Sequence, residues 1–197
     1  MARAAELAGL VSARLCHDLI SPIGAISNGV ELMSLSQPSS SESQLIADSV
    51  ETAKNRVKFF RLAFGIAPLE GRVELDELSR VAPFQLNHRI AITWQAETKD
   101  LPRNEAQGIL LALMCLEKCL PRGGDITVRV GAAWADLSAR GDKVEGDGAG
   151  WKAFEGAAVS HSDVQFGYLA ALREDGLLAL DHSDAADSVT LKITFTP

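Results

Sequence analysis

The chain has 197 residues, 47% of them hydrophobic, and carries 19 basic against 26 acidic side chains for a net charge of −7. That composition builds one domain or two small ones and excludes wholesale disorder, while the negative balance argues against nonspecific nucleic-acid binding and points to protein partners. The strongest apolar run, Ile109 to Leu116, is too short for a bilayer, and no basic lead into an apolar segment opens the chain, so a cytoplasmic protein with no membrane attachment is expected.

In the first segment Leu7, Val11, Leu15, Leu19, Ile23, Ile26, Val30 and Met33 recur at helical steps, the spacing of a buried seam in a bundle. Two residues rotate a helix by roughly 200°, so His17 is predicted roughly 160° from Leu19, facing solvent. Arg14, Ser21, Gly24 and Asn28 project onto the same outer face and form a strip of small or polar side chains that can receive a partner. Pro22 has no N–H to give and is expected to kink the helix and loosen the carbonyl of Asp18. A histidine followed at once by a carboxylate, with proline five residues on, suggests a phosphoryl carrier. Asp18 would hydrogen-bond the imidazole or take up its proton, leaving a neutral nitrogen free to attack phosphorus. Arg14 is either a phosphate ligand or a solvated charge.

The run from Ser36 to Ser41 has a turn composition that ends this helix near Leu35, and Ser41 or Ser43 is placed to cap the next. Ile46, Val50, Ala53, Val57, Phe60 and Phe64 then give a second helix its own apolar seam. Two such helices form an antiparallel hairpin that cannot enclose its seam alone. Bundles pair two hairpins around one four-helix core, so a homodimer is expected, with cover by the rest of the chain as the alternative. The stretch Ala67-Pro68-Leu69-Glu70-Gly71 breaks the pattern and divides the chain into residues 1–67 and 72–197.

Beyond it, Ile90, Ile92 and Trp94, then Ile126, Val128 and Val130, then Val189, Leu191, Ile193 and Phe195 alternate with their neighbours as half-buried strands do. Pro102 opens a helix with Ala106, Ile109, Leu110, Leu113 and Leu120 on its apolar face, Gly123-Gly124 ends it, and another helix runs from about Ser162 to Arg173. Helices on one face of a mixed sheet make an α/β sandwich. Gly146, Gly148 and Gly150 lack the Lys-Ser or Lys-Thr of a phosphate-binding loop and are expected in a flexible loop. Cys16, Cys115 and Cys119 form an odd set without metal-ligand company, which favours a reducing compartment; Cys16 is expected to pack.

The run from Arg14 to Gly29, RLCHDLISPIGAISNG, resembles the phosphoacceptor helix of two-component histidine kinases and, within that group, is most similar to ChpT-type histidine phosphotransferases of alphaproteobacteria. The resemblance implies an α+β protein: a helical hairpin forming a dimeric four-helix bundle, followed by an α/β sandwich like a histidine kinase ATP-binding domain. It implies a phosphorelay in which His17, assisted by Asp18, carries a phosphoryl group from the receiver domain of a hybrid histidine kinase to response regulators. Arg14, Ser21, Gly24 and Asn28 would be the partner-binding residues. When the chain is laid on the kinase pattern, the asparagines that hold Mg²⁺ and nucleotide phosphate fall on Ala112 and Cys115, and Asp147-Gly148-Ala149-Gly150 does not match the adenine-binding turn. No cofactor or metal is therefore expected on this chain, the Mg²⁺ of transfer being supplied by the receiver. Three other readings stay open: an active kinase core, a noncatalytic dimerisation or regulatory module, and a His-Asp metal phosphohydrolase drawing further ligands from His88, His161 or His182.

Overall fold

The computed structural model describes residues 2–35, 40–65 and 71–196. The expected turn and the expected boundary fall mostly on residues 36–39 and 66–70, and the side chains of Cys16, Ser41 and Ser43 likewise lie outside the described residues.

Helices α1 (Ala2–Leu35) and α2 (Ser40–Phe64) form the hairpin. They run antiparallel, Gly29 lying against Ile46 and Asp18 against Arg56. A Cβ on Gly29 would come within 2.5 Å of Ile46 Cγ1, so the missing side chain is what lets the helices approach here. The apolar seam is only half enclosed. Leu19, Ile26 and Met33 are half-buried, whereas Ile20, Ile23 and Val30 on α1 and Val50 and Val57 on α2 are exposed.

Pro22, inside α1, cannot donate to the carbonyl of Asp18 one turn back. Arg56 Nη1 on α2 donates to that oxygen at 2.5 Å instead. The loosened carbonyl expected from the sequence is thus re-satisfied by a cation from the partner helix.

The second part begins with strand β1 (Arg72–Glu74), helix α3 (Leu75–Gln85), strands β2 (Ile90–Ala96) and β3 (Asp100–Pro102), and helix α4 (Arg103–Lys118). Strands β4 (Gly124–Gly131) and β5 (Trp134–Arg140), helix α5 (Val164–Glu174), and strands β6 (Leu178–Ala185) and β7 (Ser188–Phe195) follow. A five-stranded sheet has the order β2-β4-β5-β7-β6, with β2 parallel to β4 and the other pairs antiparallel, while β1 and β3 make a separate antiparallel pair. One face of the sheet carries Ile126, Val128, Leu137, Leu191 and Ile193, all buried. Against it lies α4, buried on every side from Glu105 to Leu116, as befits a helix enclosed by the sheet, α2 and α5.

Contrary to the expected flexible loop, the glycine-rich segment leads into a 3-10 helix, Ala149–Glu155. A Cβ on Gly150 would meet the Phe166 ring at 2.5 Å. Trp151 stacks on His182 at 3.9 Å and meets Phe166 edge-on at 4.9 Å, so aromatic packing holds this segment to α5 and the sheet.

The two parts share one core. Phe59, Phe60, Leu62 and Ala63 at the end of α2 belong to the same buried cluster as α4. The carbonyls that close α2 have no partners within their own helix. Arg103 supplies them: Nη1 donates to Leu62 O and Nη2 to Arg61 O, each at 2.5 Å, while Gln107 Nε2 donates to Ala63 O and Gly65 O at 3.0 Å. The guanidinium also answers the negative end of the helix dipole. Arg103→Met keeps the buried stem and removes these donors; we expect it to lower unfolding free energy by about 2–3 kcal/mol, read as a reduced urea midpoint. An unchanged midpoint would show the clamp to be energetically idle.

Candidate phosphoacceptor site

His17 sits mid-way along α1 with 73% of its side chain exposed, as its angular position predicts. Its immediate neighbour Asp18 points the other way and is buried, 8% exposed. Three residues hold this carboxylate and a fourth holds the backbone oxygen of Asp18. Arg14 Nε donates to Oδ2 at 2.6 Å, Gln85 Nε2 donates to the same oxygen at 2.9 Å, and His17 Nδ1 lies 2.9 Å from Oδ1, while Arg56 holds the backbone oxygen. Burial pushes the Asp18 carboxyl up, but hydrogen bonds from His17, Arg14 and Gln85, with the Arg14 charge, outweigh it and hold the group below its ordinary range. An ionised carboxylate only accepts, so this geometry assigns the imidazole proton to Nδ1. In the neutral ring the lone pair is then on Nε2. The result is an exposed imidazole, oriented by a buried acid that also faces any positive charge the ring develops when Nε2 bonds to an electrophile.

The strip expected around His17 is largely present. Ser21 and Asn28 are exposed, and a Cβ built on Gly24 meets nothing within 4 Å. Arg14 is a correction. Its side chain is only 12% exposed, and besides binding Asp18 it donates from Nη1 to the carbonyl of Ser162, 3.1 Å away and 148 positions along the chain. A helical wheel placed Arg14 outward, but the start of the α5 region packs over that side of α1. Arg14 is therefore a strut between the two parts of the protein rather than an open partner-facing charge. Gln85 and Arg56, both holding Asp18, carried no local sequence signal.

Of the other histidines, His182 stacks on Trp151 and His88 lines a cleft with Arg56, Gln85, Arg89 and Glu117. His161 does come to His17, ring centroids 6.2 Å apart, which its place in the sequence did not indicate. Among the described residues no group of three or more His, Cys, Asp or Glu side chains is arranged to hold a metal ion. Ala112 and Cys115 are fully buried in α4. Burial raises the Cys115 thiol well above its ordinary value and pushes Cys119 up to about 11, so both stay protonated and unreactive near neutrality. Among the described residues no helix is long and apolar enough to cross a membrane.

Residues 76–187, more than half of the chain, match the family model of the histidine phosphotransferase C-terminal domain. The chain belongs to this family. The protein phosphotransferase ChpT of Brucella abortus (strain 2308) is 35% identical over 129 residues, an alignment spanning 64% of this chain and 62% of that relative, less than two thirds of its length. The 1.7 Å structure of a bacterial phosphotransferase superimposes with a TM-score of 0.79 at 27% identity, covering 96% of each chain, hairpin included. The histidine kinase domain of an Erythrobacter litoralis blue-light activated histidine kinase aligns at 18% identity with a TM-score of 0.46 over 99% of this chain and 94% of that one. The family match lies within the sandwich and does not extend to His17 or the rest of the hairpin.

Proposed function

We propose that this protein is a phosphorelay carrier in which His17 takes a phosphoryl group from the aspartyl phosphate of one receiver domain and gives it to the aspartate of another. The observation that carries the proposal is the pairing of an exposed His17 with buried Asp18, 2.9 Å from Nδ1, on a hairpin joined to a phosphotransferase-family sandwich. The lone pair of Nε2 forms the P–N bond as the acyl P–O bond breaks, and the receiver carboxylate leaves with that electron pair. Nε2 releases no proton in this step. The Nδ1 proton stays on the ring, and Asp18 offsets the charge that builds there. Mg²⁺ would come with the receiver's own carboxylates, since the residues around His17 offer no oxygen cage.

Pairing of two hairpins completes the picture. The exposed Ile20, Ile23, Val30, Val50 and Val57 lie along the hairpin, and a second copy presenting the same residues would close a four-helix core around them. Donor and acceptor receivers would belong to a hybrid histidine kinase and to response regulators, in the cytoplasm.

The test is incubation with a receiver carrying radiolabelled phosphoryl, followed by acid-lability measurement and site mapping. Acid-labile label on His17 is expected. A parallel incubation with millimolar Mg-ATP should leave the protein unlabelled and give no saturable calorimetric isotherm, because Ala112 and Cys115 offer no oxygen to Mg²⁺. ATP-dependent label on His17 would return the chain to the kinase class, and label elsewhere would remove His17 from the relay.

A further inference from the structure

Two exposed imidazoles meet where the hairpin joins the sandwich. The rings of His17 and His161 are 6.2 Å apart between centroids and tilted by 53°. Several bonds fix this approach. Arg14 binds Asp18 with one nitrogen and the carbonyl of Ser162 with another, so the carboxylate that orients His17 and the segment that carries His161 hang on one guanidinium. Ser160 Oγ donates to Asp163 Oδ2 at 2.7 Å, Gln165 Nε2 donates to Ser162 O at 3.3 Å, and Lys118 Nζ faces Asp163 Oδ1 at 3.5 Å. The short 3-10 turn His161–Asp163 is thereby pinned to α1, α4 and α5.

We propose that His161 is a second phosphoryl-contacting residue: when protonated, it donates a hydrogen bond to an oxygen of the phosphoryl group carried on His17. This rests on His17 being the acceptor. The 6.2 Å between ring centres leaves a gap that a phosphoryl oxygen can bridge, given the ~2.6–3.2 Å hydrogen-bond reach of a ring nitrogen. The charged groups bonded to this turn or to the carboxylate beside His17 are Arg14 and Asp18 on α1, Lys118 at the end of α4, and Asp163 on the turn itself. Arg14 is directed at Asp18 and Ser162, and Lys118 at Asp163. His161 is left with a ring nitrogen to offer the phosphoryl. Its proton comes from solvent and stays on His161; the transfer itself still forms the Nε2–P bond and breaks the acyl P–O bond.

Proton and phosphoryl binding must then favour each other reciprocally. A phosphoryl oxygen bonded to His161 favours its protonated form, so the extra stabilisation is present at low pH and is lost as pH rises and the ring gives up its proton. The experiment uses the full chain with ¹⁵N-histidine, phosphorylated by a receiver, with the label mapped first. On label mapped to His17, the His161 titration should move up by about one unit between unphosphorylated and phosphorylated protein, a tenfold change in its protonation equilibrium. The equilibrium constant for phosphoryl on His17, wild type divided by His161→Ala, should rise severalfold from pH ~8 to pH ~5.5, towards the roughly tenfold limit of a one-unit shift. His161→Lys should keep the high share at both pH values. A His161 titration unmoved by phosphate on His17, or a flat wild-type to His161→Ala ratio, overturns the proposal while leaving His17 as acceptor. Label mapped away from His17 overturns the functional proposal and this one together.

Discussion

His17→Ala should lose phosphoryl acceptance entirely while keeping the fold. The side chain is 73% exposed and contributes one hydrogen bond, to Asp18, so its loss should lower unfolding free energy by about 1 kcal/mol without unfolding the protein. The buried Asp18 keeps Arg14 and Gln85 as donors. The measurements are label incorporation from a phosphorylated receiver and the thermal midpoint of the same sample. Labelled His17→Ala protein would end the case for a carrier histidine, and a collapsed midpoint would mean that the imidazole is structural. Asp18→Asn is the informative companion. It replaces an acceptor by an amide in front of two donors, so slower transfer at saturating receiver should come with some loss of stability.

The second large effect is steric. In the proposed relay a receiver would bring its aspartate against phosphorus on His17, and Ser21, Gly24 and Asn28 lie one to three turns along the same face. At Gly24 a Cβ meets nothing within 4 Å, so side chains are accommodated by the fold and obstruct only what docks from outside. Gly24→Ala should stabilise α1 by about 0.5–1 kcal/mol through lower backbone entropy in the unfolded chain. Its transfer rate should stay close to wild type. Gly24→Trp should be equally folded yet slow exchange with both donor and acceptor by at least about a hundredfold, a loss of roughly 2.7 kcal/mol of transition-state stabilisation. Wild-type rates in Gly24→Trp would place receiver docking on another face of the hairpin.

How much of this was readable from residue order depends on whether the governing neighbours are local. The hairpin announces itself because its seam repeats along single helices, and the exposure of His17 follows from its angle to Leu19. Strands β2, β4 and β7 carry strong alternation of large residues. Strand β5 buries only Ala135, Leu137 and Ala139 on its inner face, and β6 is almost entirely exposed beyond Leu178, so neither carries an alternation of large side chains. Arg14 shows the limit most directly. Its angle on α1 follows from residue spacing, but the angle says nothing about a segment 148 positions away that packs over it. The same packing brings His161 to His17. Gln85 and Arg56 hold Asp18 by contacts of the same nonlocal kind. The closing carbonyls of α2 were legible only as a helix end, with no hint that Arg103 and Gln107 would take them.

That clamp bears on how the proposed carrier would meet its partners. With α2 bonded at its last turn to α4 and its aromatic end sunk in the sandwich core, hairpin and sandwich form a single stiff piece. An enzyme that serves its own histidine from its own nucleotide needs a joint, so that one part can swing to the other. Here the bonds from Arg103 and Gln107 close that joint, and His17 lies exposed. Turnover would then be set by collision: doubling the concentration of a subsaturating receiver should double the rate of exchange, and two receivers competing for the same displayed histidine would divide the traffic according to their abundance and affinity.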